Sequence, residues 1–426
     1  MERNDPRYQA YVEILKEELI PAMGCTEPIA LAYAAAKARE VLGVLPDSVQ
    51  LQVSGSIIKN VKSVIVPNTG HLKGMEAAVA AGIIAGSAEK ELEVFSEVSE
   101  EKKSAIRDYL QTVPITIEHT EQGHVFDIVV TERCGQDYAR VRIADYHTNI
   151  CRIEKNGTVL YEVPLLDETV QEDARADRSL LNMQDIWDFA ETADLRDVAD
   201  LLERQIRYNN AIAEEGLLGD YGANIGRVLL TTYGNDVSNR AKAKAAAGSD
   251  ARMNGCELPV IINSGSGNQG ITCSVPLIEY AKELHSGKEK LYRALIISNL
   301  VAIHEKTGIG TLSAYCGAVS AGAGAGAGIV YLCGDGYQAA IHTVVNALAI
   351  VSGIVCDGAK ASCAAKIASS VDAALLGYNM YKCNQEFKGG DGIVMKDIET
   401  TIKGIGRLGK DGMRQTNEEI IRLMMS

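Results

Sequence analysis

The chain has 426 residues, of which 46% are hydrophobic and 23% charged, and its formal net charge is −14 at pH 7. These values predict a soluble globular protein of two or three domains. The acidic balance argues against nucleic acid and anionic membranes as partners, because both bind basic surfaces. The polar start lacks a signal-peptide core, and no apolar run reaches the roughly 20 residues of a membrane span. We therefore expect a cytoplasmic protein that binds a small molecule.

The first forty residues predict two helices with a break between them. Helical periodicity runs from about residue 8 to 43 and is interrupted at residues 21 to 24. Thr26 is predicted as the N-cap of the second helix, with Glu27 and Pro28 in its first turn. Cys25 would then lie just before a helix N-terminus, whose partial positive charge lowers the pKa of a thiol.

Strand patterns dominate residues 48 to 162. Three segments alternate apolar and polar residues: SVQLQVSGSIIKNV, PITIEHTEQGHVFDIVVTER and YARVRIADYHTNICRIEKNGTVLYEV. TEQGH and EKNGT are predicted as hairpin turns, the second with Asn156 and Gly157 at its tip. The helical stretch HLKGMEAAVAAGIIAG interrupts the strands. Residues 1–175 are therefore predicted to form an α+β domain with an antiparallel or mixed sheet, and residues 167–179 a linker or surface helix.

Residues 176–426 are predicted to form a larger, all-α domain. Helical runs recur from IWDFAETADLRDVADLLERQIRYNNAIAEEGL to the segment that ends near residue 386. Chemistry is expected in the glycine-rich breaks between these helices, because loops on a rigid scaffold commonly carry function.

Three cysteines lie in such glycine-rich surroundings. Cys316 precedes GAVSAGAGAGAG, and Cys356 and Cys363 flank the turn residues Asp357 and Gly358. Thiolates are the ligands of iron–sulfur clusters. Three of them would hold a four-iron four-sulfur (4Fe-4S) cluster and leave one iron free for substrate. Their spacing matches neither a zinc ribbon nor a ferredoxin, so buried structural thiols remain the alternative.

The segment VIINSGSGNQGITCSVP is a second candidate for chemistry. It formally contains the dinucleotide fingerprint G-x-G-x-x-G, but its surroundings lack the βαβ repetition that a dinucleotide-binding domain needs. We interpret it as a loop that holds a substrate carboxylate through side chains and backbone N–H groups; a plain glycine-rich turn is the alternative. The predicted substrate-binding residues are Ser264, Gly265, Ser266, Gly267, Asn268 and, as a weaker candidate, Arg252.

Two further hypotheses, histidine ligands and a pyridoxal phosphate cofactor, have less support in the sequence. No lysine stands in a recognisable Schiff-base signature for pyridoxal phosphate. The histidines are interpreted as surface, hydrogen-bonded or satisfied core residues rather than ligands: His119, His124 and His147 in strand-like segments, and His304 and His342 on apolar helices.

Taken in order, the motifs GCTEP, NSGSGNQG, YCGAVSAGAGAGAG and CDGAKASC resemble the L-cysteine desulfidase family, which is related to the iron–sulfur L-serine dehydratases. The resemblance covers most of the chain. It implies an all-α domain like the dehydratase alpha domain, and an oxygen-sensitive 4Fe-4S cluster. It also implies conversion of L-cysteine to pyruvate, ammonia and sulfide without pyridoxal phosphate. The implied cluster ligands are Cys316, Cys356 and Cys363, and Cys25 of GCTEP would be catalytic or an alternative ligand.

One departure from the dehydratases bears on the substrate. They carry an S-S-S-H-T segment near the substrate, and the comparable GCTEP segment here has no histidine. This favours a thiol substrate, or a different base, with Cys25, Thr26 and Glu27 as the predicted catalytic set. The rival hypotheses are an L-serine dehydratase with the same cluster and a non-catalytic amino-acid-binding or redox-sensing protein. A homodimer is the default expectation for such a protein.

Overall fold

The computed structural model describes residues 1–95, 98–120, 124–165, 176–310 and 312–425. The first part of the chain contains α1 (Pro6–Glu18), β1 (Pro21–Met23), α2 (Thr26–Leu42), β2 (Ser48–Ser54), α3 (Gly55–Val61), α4 (Gly74–Ala85), α5 (Glu100–Thr112), β3 (Ile115–Thr120), β4 (Asp127–Cys134), β5 (Asp137–Ala144), β6 (Ile150–Lys155) and β7 (Thr158–Glu162). The second part contains α6 (Met183–Thr192), α7 (Ala199–Leu218), α8 (Ile225–Tyr233), α9 (Val237–Met253), β8 (Pro259–Ile261), α10 (Gly267–Glu283), α11 (Lys288–Ile309), α12 (Gly317–Cys333), α13 (Tyr337–Val351), α14 (Cys363–Lys382), α15 (Ile398–Arg407) and α16 (Arg414–Met425). The prediction of an α+β part followed by a mostly helical part is confirmed.

A six-stranded mixed sheet organises the first part, in the order β3-β2-β4-β5-β6-β7. Only the pairing of β2 with β3 is parallel. Val49, Leu51 and Val53 of β2 are buried and alternate with partly exposed glutamines, as a one-faced strand requires. The helix α2 packs between this sheet and α4, and its alanines allow the close approach.

Two local predictions in this region are wrong. The prediction of one strand through SVQLQVSGSIIKNV fails after Ser54, because GSIIKNV forms α3. All seven residues of α3 are buried, so the apolar pattern carries no period that distinguishes helix from strand. TEQGH includes residues 121–123, which lie outside the described residues. Its flanking strands β3 and β4 do not pair with each other, because β2 lies between them.

The other predicted turn is confirmed. β6 and β7 pair as an antiparallel hairpin across EKNGT. Asn156 has a φ of 51° and Gly157 a φ of 82°, the left-handed values that a tight hairpin turn requires at both central positions. Most of the predicted linker at 167–179 lies outside the described residues, so the boundary near residue 175 stays a prediction.

Three elements join the two parts of the chain. β1 pairs antiparallel with β8. The rings of Tyr8 and Tyr11 on α1 meet Phe189 of α6 edge-to-face at 5.2 and 5.3 Å. The last helix, α16, returns to pack on α3. The ends of the chain therefore connect the sheet to the helices.

The helical part is built around α12, which packs against α10, α11, α13 and α14. Glycine and alanine fill most of α12, so neighbouring helices approach it on all sides. In the part of the chain that the structure describes, none of the helices combines the length and apolarity needed to cross a membrane.

Gly270→Ala is expected to lower the free energy of unfolding by about 1–3 kcal/mol, despite the better helix propensity of alanine. A Cβ at this position of α10 would lie 2.0 Å from the carbonyl oxygen of Ile261 in β8. Urea unfolding monitored by circular dichroism measures the loss. Gly287→Ala is the control, since a Cβ there meets nothing within 4 Å. Equal stabilities of the two variants would contradict this prediction.

Candidate functional site

Four helices begin at residues predicted from the sequence motifs: α2 after Cys25, α10 after Ser266, α12 after Cys316, and α14 at Cys363. The hydroxyl of Thr26 donates to the carbonyl of Gly265 at 3.0 Å, which joins the start of α2 to the loop before α10. The side chain of Gln269 in α10 lies against Gly317, the first residue of α12. Helix N-termini carry partial positive charge and free N–H groups, so this arrangement favours an anion.

A short antiparallel bridge brings two of the predicted ligands together. The N–H of Cys316 donates to the carbonyl of Ile354 at 3.1 Å, and the N–H of Cys356 donates to the carbonyl of Ala314 at 2.6 Å. Burial raises the pKa of Cys316 to about 12, and the nearby Cys356 and Cys363 add to the shift. The three thiols predicted as ligands are therefore neighbours.

Cys363 connects this group of thiols to the N-terminal motif. Its Sγ accepts a hydrogen bond from the N–H of Lys360 at 3.4 Å and lies 3.6 Å from the carbonyl oxygen of Gly358. Cys25 packs beside Cys363 in a small cluster with Met253. Residues that are more than 330 positions apart in the chain therefore lie together, as the family resemblance implies.

The chemistry of the three thiols is compatible with an iron–sulfur cluster. Among the described residues, no three His, Cys, Asp or Glu side chains are arranged to hold one metal ion. In a 4Fe-4S cluster each thiolate binds a different iron, so the sulfurs surround a bulky group instead of converging on a point. The donor set suits such a group, and so do the four helix N-termini, because the group would be anionic.

Glu27 is the centre of a buried hydrogen-bond network. Its carboxylate accepts from Cys25 Sγ at 2.9 Å, from Thr26 Oγ1 at 3.2 Å and from Asn60 Nδ2 at 2.8 Å. His147 Nε2 lies 3.9 Å from Glu27 Oε1. Burial alone would raise the pKa of Glu27, but His147 and the Cys25 thiol outweigh it and hold the pKa at about 2. Glu27 is therefore an anion in the site.

Two expectations for the GCTEP segment are wrong. Cys25, not Thr26, is the N-cap residue of α2. The pKa of Cys25 is raised well above its ordinary value by burial and by the charge of Glu27. Desolvation disfavours a thiolate more than the helix N-terminus favours it. The resting group is therefore a thiol that donates to Glu27.

The predicted carboxylate loop is a tight left-handed turn before α10. Ser264 has a φ of 48° and Gly265 a φ of 76°, and the Ser264 hydroxyl donates to Asn263 Oδ1 at 2.9 Å. A Cβ on Gly267 would lie 2.3 Å from Nε of Arg252, so glycine is needed for the guanidinium to approach the loop. The preceding strand β8 pairs antiparallel with β1 rather than in a parallel βαβ unit, unlike a dinucleotide fingerprint.

Some of the buried polar atoms that have no hydrogen-bond partner among the described residues lie at this site. Most buried polar groups in folded proteins are paired, so these atoms are available to a ligand. The atoms concerned are Arg252 Nε, Asn268 Oδ1, Gln269 Oε1, His147 Nε2 and Asn60 Oδ1. The set contains both donors and acceptors, as recognition of a zwitterionic amino acid would require.

His147 is a site residue that the sequence analysis did not find. It was predicted as a surface or hydrogen-bonded residue of a strand, but it lies buried in the loop between β5 and β6. Its ring packs edge-to-face on Phe126 with centroids 4.7 Å apart. A Cβ on Gly265 would lie 3.2 Å from its Cε1. The side chain therefore stands between the carboxylate loop and Glu27.

A family model described as the serine dehydratase alpha chain matches residues 89–422. The chain belongs to this family, which confirms the resemblance at that level. It is 61% identical over 426 residues to a UPF0597 protein of Desulfitobacterium hafniense, covering 100% of this chain and 99% of that relative. It is 52% identical over 419 residues to a UPF0597 protein of Lachnoclostridium phytofermentans, covering 98% and 100%. A UPF0597 protein of Treponema denticola is 46% identical over 430 residues, with 100% of both chains covered.

Proposed function

We propose that this protein is an iron–sulfur-dependent lyase that converts L-cysteine and water to pyruvate, ammonia and hydrogen sulfide. One observation carries the proposal: three thiols and a carboxylate-binding loop meet where four helices begin. Membership of the serine dehydratase alpha chain family supports an elimination on a small amino acid.

Cys316, Cys356 and Cys363 would hold the cluster. When bound, the cluster would supply an open Lewis-acid position that suits the soft sulfur of a leaving thiolate. Cys25 lies beside Cys363 and could be a further ligand, or it could act in catalysis as a hydrogen-bond donor. Cys25 cannot bind the cluster and act as a catalytic hydrogen-bond donor in the same state of the enzyme.

The substrate carboxylate would bind Arg252 and the N–H groups at the start of α10. The guanidinium Nε has no hydrogen-bond partner in the described part of the chain, and a charge-assisted bond to a carboxylate would satisfy it. Gly267 lets Arg252 stand directly beside the loop. Both positive elements therefore face the same carboxylate and fix the position of the α-carbon.

His147 Nε2 would remove the α-proton. The neutral imidazole would be the base: Nε2 is buried, makes no hydrogen bond among the described residues, and lies 3.9 Å from Glu27 Oε1. The anionic Glu27 would stabilise the imidazolium that forms when the proton is taken up. As the Cα–H bond breaks, its electron pair forms the double bond and the Cβ–S bond breaks, which gives aminoacrylate and sulfide. Aminoacrylate then tautomerises and takes up water to give pyruvate and ammonia.

Arg252→Lys is expected to raise the KM for the amino acid about tenfold and to change iron content little. Lysine keeps the charge but loses the planar fork that binds a carboxylate through two hydrogen bonds. Steady-state pyruvate release measures KM. Arg240→Lys is the matched control, because Arg240 lies on the same helix and pairs with Glu283 at the surface. An unchanged KM in Arg252→Lys would remove Arg252 from the binding site.

The test of the function is made on protein purified without oxygen. Iron and acid-labile sulfide are measured first, and release of sulfide and pyruvate from L-cysteine follows in the same sample. About four irons per chain with both products would support the proposal. Bound iron without turnover would favour the amino-acid-binding or redox-sensing alternative. A chain without iron and without turnover would overturn the proposal.

L-Serine dehydratase is the second candidate, because the matching family model is that of the serine dehydratase alpha chain. The same residues would serve, with hydroxide in place of sulfide as the leaving group. The ratio of kcat/KM for L-cysteine and L-serine decides between them, since specificity is a difference in transition-state binding.

A further inference from the structure

Lys59 on α3 is a fully buried lysine, with 0% of its surface exposed. Its ammonium donates to Asn417 Oδ1 at 2.6 Å and to the carbonyl of Leu312 at 3.4 Å. Among the residues that the structure describes, no carboxylate lies within ion-pair distance of its Nζ. A buried ammonium without a carboxylate in direct contact is unfavourable, so the surroundings of Lys59 favour a bound anion close to it.

Lys59 lies against the loop that carries Cys356 and Cys363: a Cβ on Gly358 would lie 2.2 Å from the carbonyl oxygen of Lys59, and Lys360 Nζ donates to the same oxygen at 3.4 Å. The groups whose negative charge would act on its ammonium are, largest first, Cys356, Glu27, Asp357 and Cys316. The two carboxylates have other hydrogen-bond partners, Asn60 for Glu27 and Lys366 for Asp357. A second ammonium, that of the partly exposed Lys306, is acted on by the same two thiols, Cys356 and Cys316, and, among the described residues, is given one acceptor, the carbonyl of Gly310.

We propose that Lys59 is the counter-charge of the anionic group bound by Cys316 and Cys356, and that Asn417 positions its ammonium. This inference rests on the proposed function, because the anionic group is the 4Fe-4S cluster. The ammonium of Lys306, on α11, adds to the positive electrostatic potential at the same anionic group. Removing a buried positive charge beside the cluster would weaken its binding and make its reduction less favourable.

Asn417 performs this role from the C-terminal helix α16. The helix packs on α3 at Gly55, where a Cβ would lie 3.1 Å from Cδ1 of Ile421. It also accepts a hydrogen bond from Lys62 at the carbonyl of Met424. α16 therefore holds α3 at both ends of the helix, with Lys59 between the two contacts.

The test uses Lys59→Met and Asn417→Asp, with both proteins loaded with ferrous iron and sulfide under anaerobic conditions. Lys59→Met removes the charge at similar volume. Asn417→Asp keeps the hydrogen bond but places a carboxylate on the ammonium and cancels its charge. Both variants are expected to lose iron to a chelator about tenfold faster than the unaltered protein and to have a more negative reduction potential.

A structural role alone would not give this result, since Asn417→Asp preserves the packing and the hydrogen bond. Lys155→Met is the matched control: its ammonium also donates to backbone carbonyls, those of Val41 and Leu42, at the end of α2. Unaltered iron loss and potential in Lys59→Met and Asn417→Asp would overturn the inference while the proposed function stands. If the unaltered protein takes up no cluster, the proposed function and this inference both fail.

Discussion

Cys316→Ser is expected to abolish bound iron and the release of sulfide from L-cysteine together. Cys316 is the N-cap residue of α12, the helix at the centre of the helical part, and it lies near the other two ligand candidates. A serine hydroxyl is a harder and weaker donor to iron than a thiolate. Loss of a direct ligand should cost more than the about 10–100-fold that removal of a supporting residue costs. Iron analysis and pyruvate release on anaerobic protein measure both effects.

The control for this change lies on the same helix. Cys333 is the last residue of α12 and is exposed, so Cys333→Ser changes a thiol of the same element far from the site. We expect this variant to keep its iron and activity. Full iron content and activity in Cys316→Ser would contradict the ligand assignment and favour the alternative that the three cysteines are structural thiols.

Several residues of the candidate site could be singled out from local sequence because they lie at helix starts. Cys316, Cys363 and Ser266 each stand where a glycine-rich break meets a helix, which local sequence reveals. That these starts converge follows from packing on α12, and a family resemblance was needed to anticipate it. The fold class was likewise predictable, since apolar periodicity changes from strand-like to helical near residue 180.

Long-range packing brings three further residues to the candidate site, and the sequence did not predict them there: His147, Asn60 and Lys59. Asn60 and Lys59 lie on α3, whose fully buried sequence has no readable period. His147 lies in a loop of the sheet, and the packing of α2 on β4 and β5 brings it to Glu27. Nothing within a few residues of these positions records such contacts.

The direction of the pKa shift of Cys25 could not be predicted from the local sequence either. The sequence reveals a helix N-terminus, which lowers a thiol pKa, but it does not reveal burial or the carboxylate of Glu27 2.9 Å away. These two effects have the opposite sign and dominate. A buried thiol with a raised pKa is a poor source of thiolate, so a neighbouring group suits the role of base better than Cys25 does.

His147→Gln is expected to lower kcat for L-cysteine by about 10²–10⁴ and to leave the iron content unchanged. Glutamine fills a similar volume and can still hydrogen-bond, but it cannot accept the α-proton. His147 touches Phe126 and faces Gly265 rather than the ligand thiols, so cluster loading should not depend on it. Incorporation of deuterium from heavy water at the α-carbon should fall together with kcat, because both require the same proton transfer.

Two further variants make this result specific. His124→Gln changes a partly buried histidine near the same loop, which pairs with Asp145, and should have little effect on kcat. The variant Cys25→Ser tests the other candidate base, the thiol of Cys25. If His147 is the base, Cys25→Ser should retain α-deuterium exchange even if its turnover falls, because the thiol only donates to Glu27. Normal exchange in His147→Gln and none in cluster-loaded Cys25→Ser would assign the proton transfer to Cys25, despite the cost of forming a buried thiolate next to an anionic carboxylate.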